Sequence, residues 1–307
     1  MNRRTFLAST LALAGAGRMP TPAIRPPRTR VILLGTGGGP LPRPGRSTSA
    51  QVIVVGATAY VVDCGDGVAR QLAAARVPFA TMRHIFITHQ HSDHTADYGN
   101  LLLLGWTAGL PPRVDTWGPP PLERMTKLFL EMYASDIEVR VAGEGRTPLA
   151  PLIHVHELAG AGPVMQDERV RVTAALVHHP RVAPAFAYRF DTDDRSIVIS
   201  GDTSPSDNLI RLARGADVLV HEAMYGPAVD RLAARIPQGG ALKQHLLASH
   251  TLAEDAGRIA REAGVGMLVL SHLVPADDPA VTEAMWVEAV RRHFTGRIVV
   301  GRDLMEL

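Results

Sequence analysis

Directly after the apolar run 85–87 and Thr88 comes the block His89-Gln90-His91-Ser92-Asp93-His94, and no other feature constrains this chain as tightly. Three imidazoles and a carboxylate within six residues suit neither a buried strand nor an ordinary turn. Neutral imidazoles and carboxylates are metal ligands, and a tight loop at a strand end can turn alternate side chains toward one point.

The same arrangement recurs along the chain. Residues 31–34 form a short apolar run that ends in the loop Gly35-Thr36-Gly37-Gly38-Gly39-Pro40, which lacks the Gly-Lys-Ser/Thr ending of a phosphate-binding loop. Residues 51–55 and 59–62 read as a hairpin around Gly56-Ala57-Thr58 and lead into Asp63. Further strands over 83–88, 170–177, 196–200, 217–220 and 267–270 end in the His89 block, His178-His179-Pro180, Gly201-Asp202-Thr203, His221-Glu222-Ala223 and Ser271-His272-Leu273. Strands over 114–117, 153–158, 185–190 and 298–300 and helices over 68–76, 99–110, 122–133, 227–235, 252–263 and 279–293 complete the expected elements. Asp63, the 89–94 block, His179, Asp202, Glu222 and His272 would then gather at one sheet edge. Scattered core histidines would not sort themselves in this way. Residues 135–151 have no clear period and read as an insertion shaping access or as a connector. His154 and His156 imitate a ligand pair but read as the polar face of a strand.

With 46% hydrophobic and 20% charged residues in 307, the chain has ample core and is not disordered. Residues 1–16, with Arg3-Arg4-Thr5-Phe6-Leu7 before an Ala-rich stretch, read as a twin-arginine export signal. That stretch is shorter than the about 20 residues a spanning helix needs, so no stable membrane anchor would survive cleavage. Residues 17–29 read as a Pro- and Arg-rich linker and 30–307 as the folded domain. Loss of the signal leaves 30 basic against 30 acidic side chains, without a general field for gathering polyanions. A periplasmic location and no nucleic-acid partner are therefore expected. The sole cysteine, Cys64, excludes an intramolecular disulfide.

With these residues in view, the chain resembles the metallo-β-lactamase superfamily over nearly all of the mature sequence. The resemblance implies an α/β fold, a four-layered αββα sandwich of two facing mixed sheets with helices outside. It implies two zinc ions per chain, manganese or iron being left open, one held by His89, His91 and His179, the other by Asp93, His94 and His272, with Asp202 bridging. His178 is an alternative to His179; the following Pro180 and the geometry of a strand end favour His179. Asp63 would orient a ligand imidazole or cap a turn. An aspartate at 202, where some penicillin-cleaving relatives have cysteine, points to the ribonuclease Z and arylsulfatase-like branch. Residues 34–38, Ala187-Tyr188-Arg189, His221-Glu222-Ala223 and Ser249-His250-Thr251 agree with that branch. By the resemblance Glu222 and His250 would pair and deliver a proton to the leaving oxygen, while Asp93 both ligates and steers a bridging hydroxide. His245 reads as a bystander.

Ribonuclease Z carries a basic arm between the third histidine motif and the bridging aspartate, and the short path from His179 to Asp202 leaves no space for one. The expectation is therefore a periplasmic binuclear metallo-hydrolase acting on a small-molecule phosphodiester or aryl sulfate ester, with transfer-RNA 3′-end processing disfavoured. Lactone or β-lactam hydrolysis is the alternative reaction, and an exported metal-binding protein the non-enzymatic alternative. A homodimer is left open. Trp106, Leu110 and Tyr133 would either wall an apolar pocket or belong to the core.

Overall fold

The computed structural model describes residues 29–235 and 237–307; the expected export signal and all but the last residue of the expected linker lie outside the described residues. The first half runs β1 (Thr29–Gly35), β2 (Ala50–Val55), β3 (Thr58–Val62), α1 (Val68–Ala74), β4 (Met82–Phe86), α2 (Ser92–Thr95), α3 (Tyr98–Thr107), β5 (Val114–Gly118), α4 (Leu122–Met132), α5 (Ala134–Glu144) and β6 (Ile153–Glu157). The second runs β7 (Gly162–Gln166), β8 (Val170–Val177), β9 (Ala185–Thr192), β10 (Ser196–Ile199), α6 (Asp207–Leu212), β11 (Val218–Met224), α7 (Gly226–Ala233), α8 (Gly239–Ser249), α9 (Ala253–Ala263), β12 (Met267–Val274), α10 (Glu283–Arg291), β13 (Arg297–Val300) and β14 (Met305–Glu306). β1 thus begins at Thr29, one residue before the expected domain start.

Among the described residues the strands form two seven-stranded mixed sheets, ordered β14-β1-β2-β3-β4-β5-β6 and β13-β12-β11-β10-β9-β8-β7. This is the expected α/β sandwich. Each central strand is covered on one face by the other sheet and on the other by helices, which explains why β2, β11 and β12 are buried along their whole length and do not alternate. Between the sheets, Phe86, Tyr60 and Ile53 meet Phe186, Tyr188 and Phe190; the Phe86 and Phe190 rings meet edge to face at 5.2 Å. Outside, Leu72, Leu101 and Leu102 close one sheet, and Ile259, Trp286 and Val290 close the other. Burying each such side chain stabilises the fold by about 1.5–3 kcal/mol.

Strands β3 to β6 run parallel, as do β10 to β13. β8 is antiparallel to β9, itself antiparallel to β10, so β8 and β10 share a direction. Their carboxyl ends therefore open on common edges, where open α/β sheets place ligands. Four of the described helices were not among the expected elements: the short α2 and α6, and the longer α5 and α8. α5 has no fully buried residue and touches the fold only through half-buried Ile137 and Val141, so its apolar period is faint. α8 begins with Gly239-Gly240, weak helix formers that hide its start.

Candidate metal centre

The site is assembled at one sheet edge from strand ends. After β4, Thr88 leads into the His89 block, and the single turn α2 presents Asp93 and His94 while His91 stands just before it. After β10, Gly201 turns the chain with φ +58°, and a Cβ there would sit 2.6 Å from the Phe186 carbonyl oxygen. Glycine is needed there to bring Asp202 inward. On β12, His272 has φ +43° at a break in register with β11. This local bulge aims its imidazole into the site rather than into the sheet.

Two groups of donor atoms result. His89, His91, His179 and Asp202 form one and Asp93, His94, Asp202 and His272 the other, the atoms of each lying within 4.8 Å of one another. Asp202 belongs to both: its Oδ2 is 3.2 Å from His272 Nε2, 3.7 Å from His89 Nε2 and 3.9 Å from His179 Nε2, and its Oδ1 is 3.3 Å from His94 Nε2. Asp93 Oδ2 lies 3.1 Å from His272 Nε2 and accepts a hydrogen bond from the Gly39 amide at 2.9 Å.

Asp63 sits behind the block with φ +60°. Its Oδ1 accepts from the Thr88 amide at 2.8 Å, and its Oδ2 lies 2.8 Å from His94 Nδ1. Of the two roles left open for it, orienting an imidazole is the one it has. With its proton on Nδ1, His94 turns the Nε2 lone pair toward Asp202.

The donor set fits divalent cations. His94 Nε2, both ring nitrogens of His179, Asp202 Oδ1 and His272 Nδ1 are buried without a hydrogen-bond partner. Each such orphan costs about 1–3 kcal/mol, and a cation facing His94 Nε2, His179 Nε2 and Asp202 Oδ1 would offset the cost of those three. Burial, with neighbouring imidazoles, holds His89 well below its ordinary pKa, and burial outweighs Asp202 to bring His179 down to about 4. Both therefore keep free lone pairs near neutral pH. Burial opposes the charge on Asp93, but His94 and His272 outweigh it and hold the carboxyl below the usual carboxylate range. Burial likewise opposes protonation of His94, yet Asp202, Asp63 and Asp93 raise its pKa well above the ordinary value. That balancing positive charge is one a cation can replace.

Beside the centre, His250 Nδ1 lies 2.9 Å from Glu222 Oε2, and Glu222 Oε1 accepts from the Thr203 amide at 2.7 Å. Burial depresses the His250 pKa, but the Glu222 carboxylate, its hydrogen bond and Asp202 outweigh this and push it up to about 9. Burial raises Glu222 despite His250.

All seven residues expected as ligands are thus together, with Glu222 and His250 alongside. His179 is buried in the cluster, whereas His178 is exposed and its carbonyl accepts from the Ser204 amide. His154 and His156 lie away on β6; His156 bonds Asp115 at 2.7 Å and stacks on Trp117. Trp106, Leu110 and Tyr133 pack in an outer helical cluster. The cavity opening on the centre, about 310 Å³, is walled instead by Leu41, Leu232, Leu242, Leu246 and Val274, with His245 at its side. The four-residue spacing of Leu242 and Leu246 was the one signal for that wall. His245 is therefore no bystander in position: its ring centre is 6.4 Å from those of His179 and His250.

Residues 58–273 match the family described as Beta-lactamase superfamily domain. A Ribonuclease Z from Mycobacterium bovis (strain BCG / Pasteur 1173P2) is 36% identical over 277 residues, covering 89% of this chain and 96% of that protein. The Ribonuclease Z of Mycobacterium tuberculosis (strain ATCC 25618 / H37Rv) is 35% identical over the same shares. The crystal structure of human tRNase Z, short form, superposes with TM-score 0.68 at 22% identity, covering 91% of this chain and 98% of that one, a likeness of fold. The metallo-beta-lactamase fold protein YhfI from Bacillus subtilis gives 0.69 at 23% identity, covering 91% and 99%.

Three expectations are corrected by these relatives. The small phosphodiester or aryl sulfate ester, with its lactone, β-lactam and non-enzymatic alternatives, gives way because the relatives aligned over nearly their whole length are named ribonucleases. The exclusion of nucleic acid falls with it. A near-zero net charge is a sum over the whole surface and says nothing of the field at one cleft. Nor does the missing arm discriminate, since the alignment leaves only 4% of the Mycobacterium bovis protein uncovered. The periplasmic location is withdrawn as well: the stretch that suggested it lies outside the described residues, and the relatives named Ribonuclease Z lend it no support. The chain belongs to the metallo-β-lactamase superfamily, in its ribonuclease Z branch.

Proposed function

We propose that this protein is a metal-dependent ribonuclease that hydrolyses a phosphodiester bond of RNA, with residues 30–307 as its catalytic domain. The observation that carries this reading is the Asp202 carboxylate shared by two donor groups and flanked by a buried Glu222–His250 pair, in a chain 36% identical to a Ribonuclease Z. His89, His91 and His179 would hold one cation and Asp93, His94 and His272 the other, with Asp202 between them; zinc suits this donor set best. When bound, two such cations supply Lewis acidity and lower the pKa of water.

The chain's own groups do the rest. Asp93, fixed by the Gly39 amide and by His272, accepts a hydrogen bond from the attacking water and orients it, and the water's proton passes by way of that carboxylate to solvent as its oxygen bonds phosphorus. His250 donates a proton to the leaving ribose oxygen as the P–O bond breaks, and regains one from solvent afterwards. Glu222 keeps that imidazole protonated and aimed. One product ends in a hydroxyl and the other in a phosphate. Incubation of metal-loaded protein with a transfer-RNA precursor carrying a 3′ extension tests the proposal. An internal cut is expected; intact RNA with full metal loading overturns it.

A further inference from the structure

The cavity beside the centre has a chemistry that the hydrolytic residues do not use. At one end it meets Asp93, Asp202 and His272; its walls are Leu41 from the Gly-rich loop, Leu232 of α7, Leu242 and Leu246 of α8, and Val274 of β12. Leu41 is 66% exposed, and Leu232 and Leu242 are half-buried, so these aliphatic faces are left uncovered at the edge of a site built for a charged group. Among the described residues no lysine or arginine lines the cavity. The aliphatic walls offer a phosphate no partner, whereas they can cover a flat, uncharged ring. At about 310 Å³ the volume is at the small end of ligand pockets, suited to one ring system and not to a helix of RNA.

We propose that this cavity is a nucleobase subsite, taking the base of a nucleotide adjacent to the scissile phosphate. The inference rests on the ribonuclease reading. Of the parts of an RNA chain next to that phosphate, only the base offers apolar faces that aliphatic walls can cover. His245 is the one polar side chain of the lining outside the metal groups and the Glu222–His250 pair, apart from Ser92. With so few groups to read a base edge, the subsite accepts pyrimidine and purine alike. It positions the substrate and does not touch the reacting atoms.

The test is calorimetric binding of uridine 5′-monophosphate, adenosine 5′-monophosphate and ribose 5-phosphate to the zinc-loaded protein. Both nucleotides are expected to bind about tenfold tighter than the sugar phosphate, the gain from removing about 60 Å² of base surface from water against aliphatic walls. Leu41→Asn, at an exposed position, and Leu242→Asn should each erase that difference while leaving ribose 5-phosphate affinity unchanged. Equal affinity for all three in the unaltered protein, or a preference that survives both substitutions, overturns the subsite. A base preference without RNA cleavage overturns the ribonuclease reading and keeps the subsite. RNA cleavage without a base preference does the reverse.

Discussion

His250 Nδ1 stands 2.9 Å from Glu222 Oε2, with both side chains buried and the other carboxylate oxygen held by the Thr203 amide. A carboxylate tied at one oxygen to the backbone has a single direction left for the second, and the imidazole takes it. The pair therefore acts as a unit. His250→Ala and Glu222→Gln should each lower kcat about 100-fold to 10,000-fold on RNA, with KM little changed, as expected for a lost proton donor. The double variant should be no worse than His250→Ala alone. Steady-state kinetics on the four proteins checks this, and independent, additive losses would mean that the residues act separately.

Asp63 acts on the centre through His94. Asp63→Asn suits the left-handed backbone there but removes the charge facing His94 Nδ1. Metal affinity should fall about 10-fold to 100-fold, measured by competition with a chromogenic chelator. Affinity equal to that of the unaltered protein would show that the Thr88 contacts alone orient the block.

His221 gives the fold a pH dependence away from the metal ligands. Burial outweighs the hydrogen bond to the Glu222 carbonyl and lowers its pKa from 6.5 to about 4. The unfolded chain binds a proton that the folded one refuses, so stability is held above pH 6.5 and lost as pH falls through 6.5 toward 4. The full loss is about 3 kcal/mol at 1.36 kcal/mol per unit. In urea unfolding between those limits, His221→Gln should show a flatter pH dependence than the unaltered protein, whatever its absolute stability. Parallel curves would remove His221 as the cause.

Most of the fold was legible because its central strands are short β-branched runs, each closed by a polar cluster. The bulge at His272 and the turn at Gly201 were not, since both are properties of backbone register, yet the residues they aim were identified. α8 was hidden by Gly239-Gly240, and with it went Leu242, His245 and Leu246, so Trp106 and Tyr133 were considered as pocket walls although they pack in the outer layer. The substrate class was misjudged for a different reason. Net charge is a sum over the whole chain and the path from His179 to Asp202 is one connection among many, so neither reports the field at the cleft. His89, His94, His179 and His272 lie together with Asp202 because a buried imidazole must be answered by a partner nearby.

If Asp202 joins two donor groups into one RNA-cleaving centre, cleavage requires both cations at once. The most direct measurement is the rate of RNA cleavage as zinc is added back to chelated protein, followed with the bound metal per chain. The metal-free protein should leave RNA intact, the rate should rise to a plateau at two zinc ions per chain, and Asp202→Ala should lose that plateau. Full cleavage by the chelated protein, or none at two bound ions, would contradict that requirement.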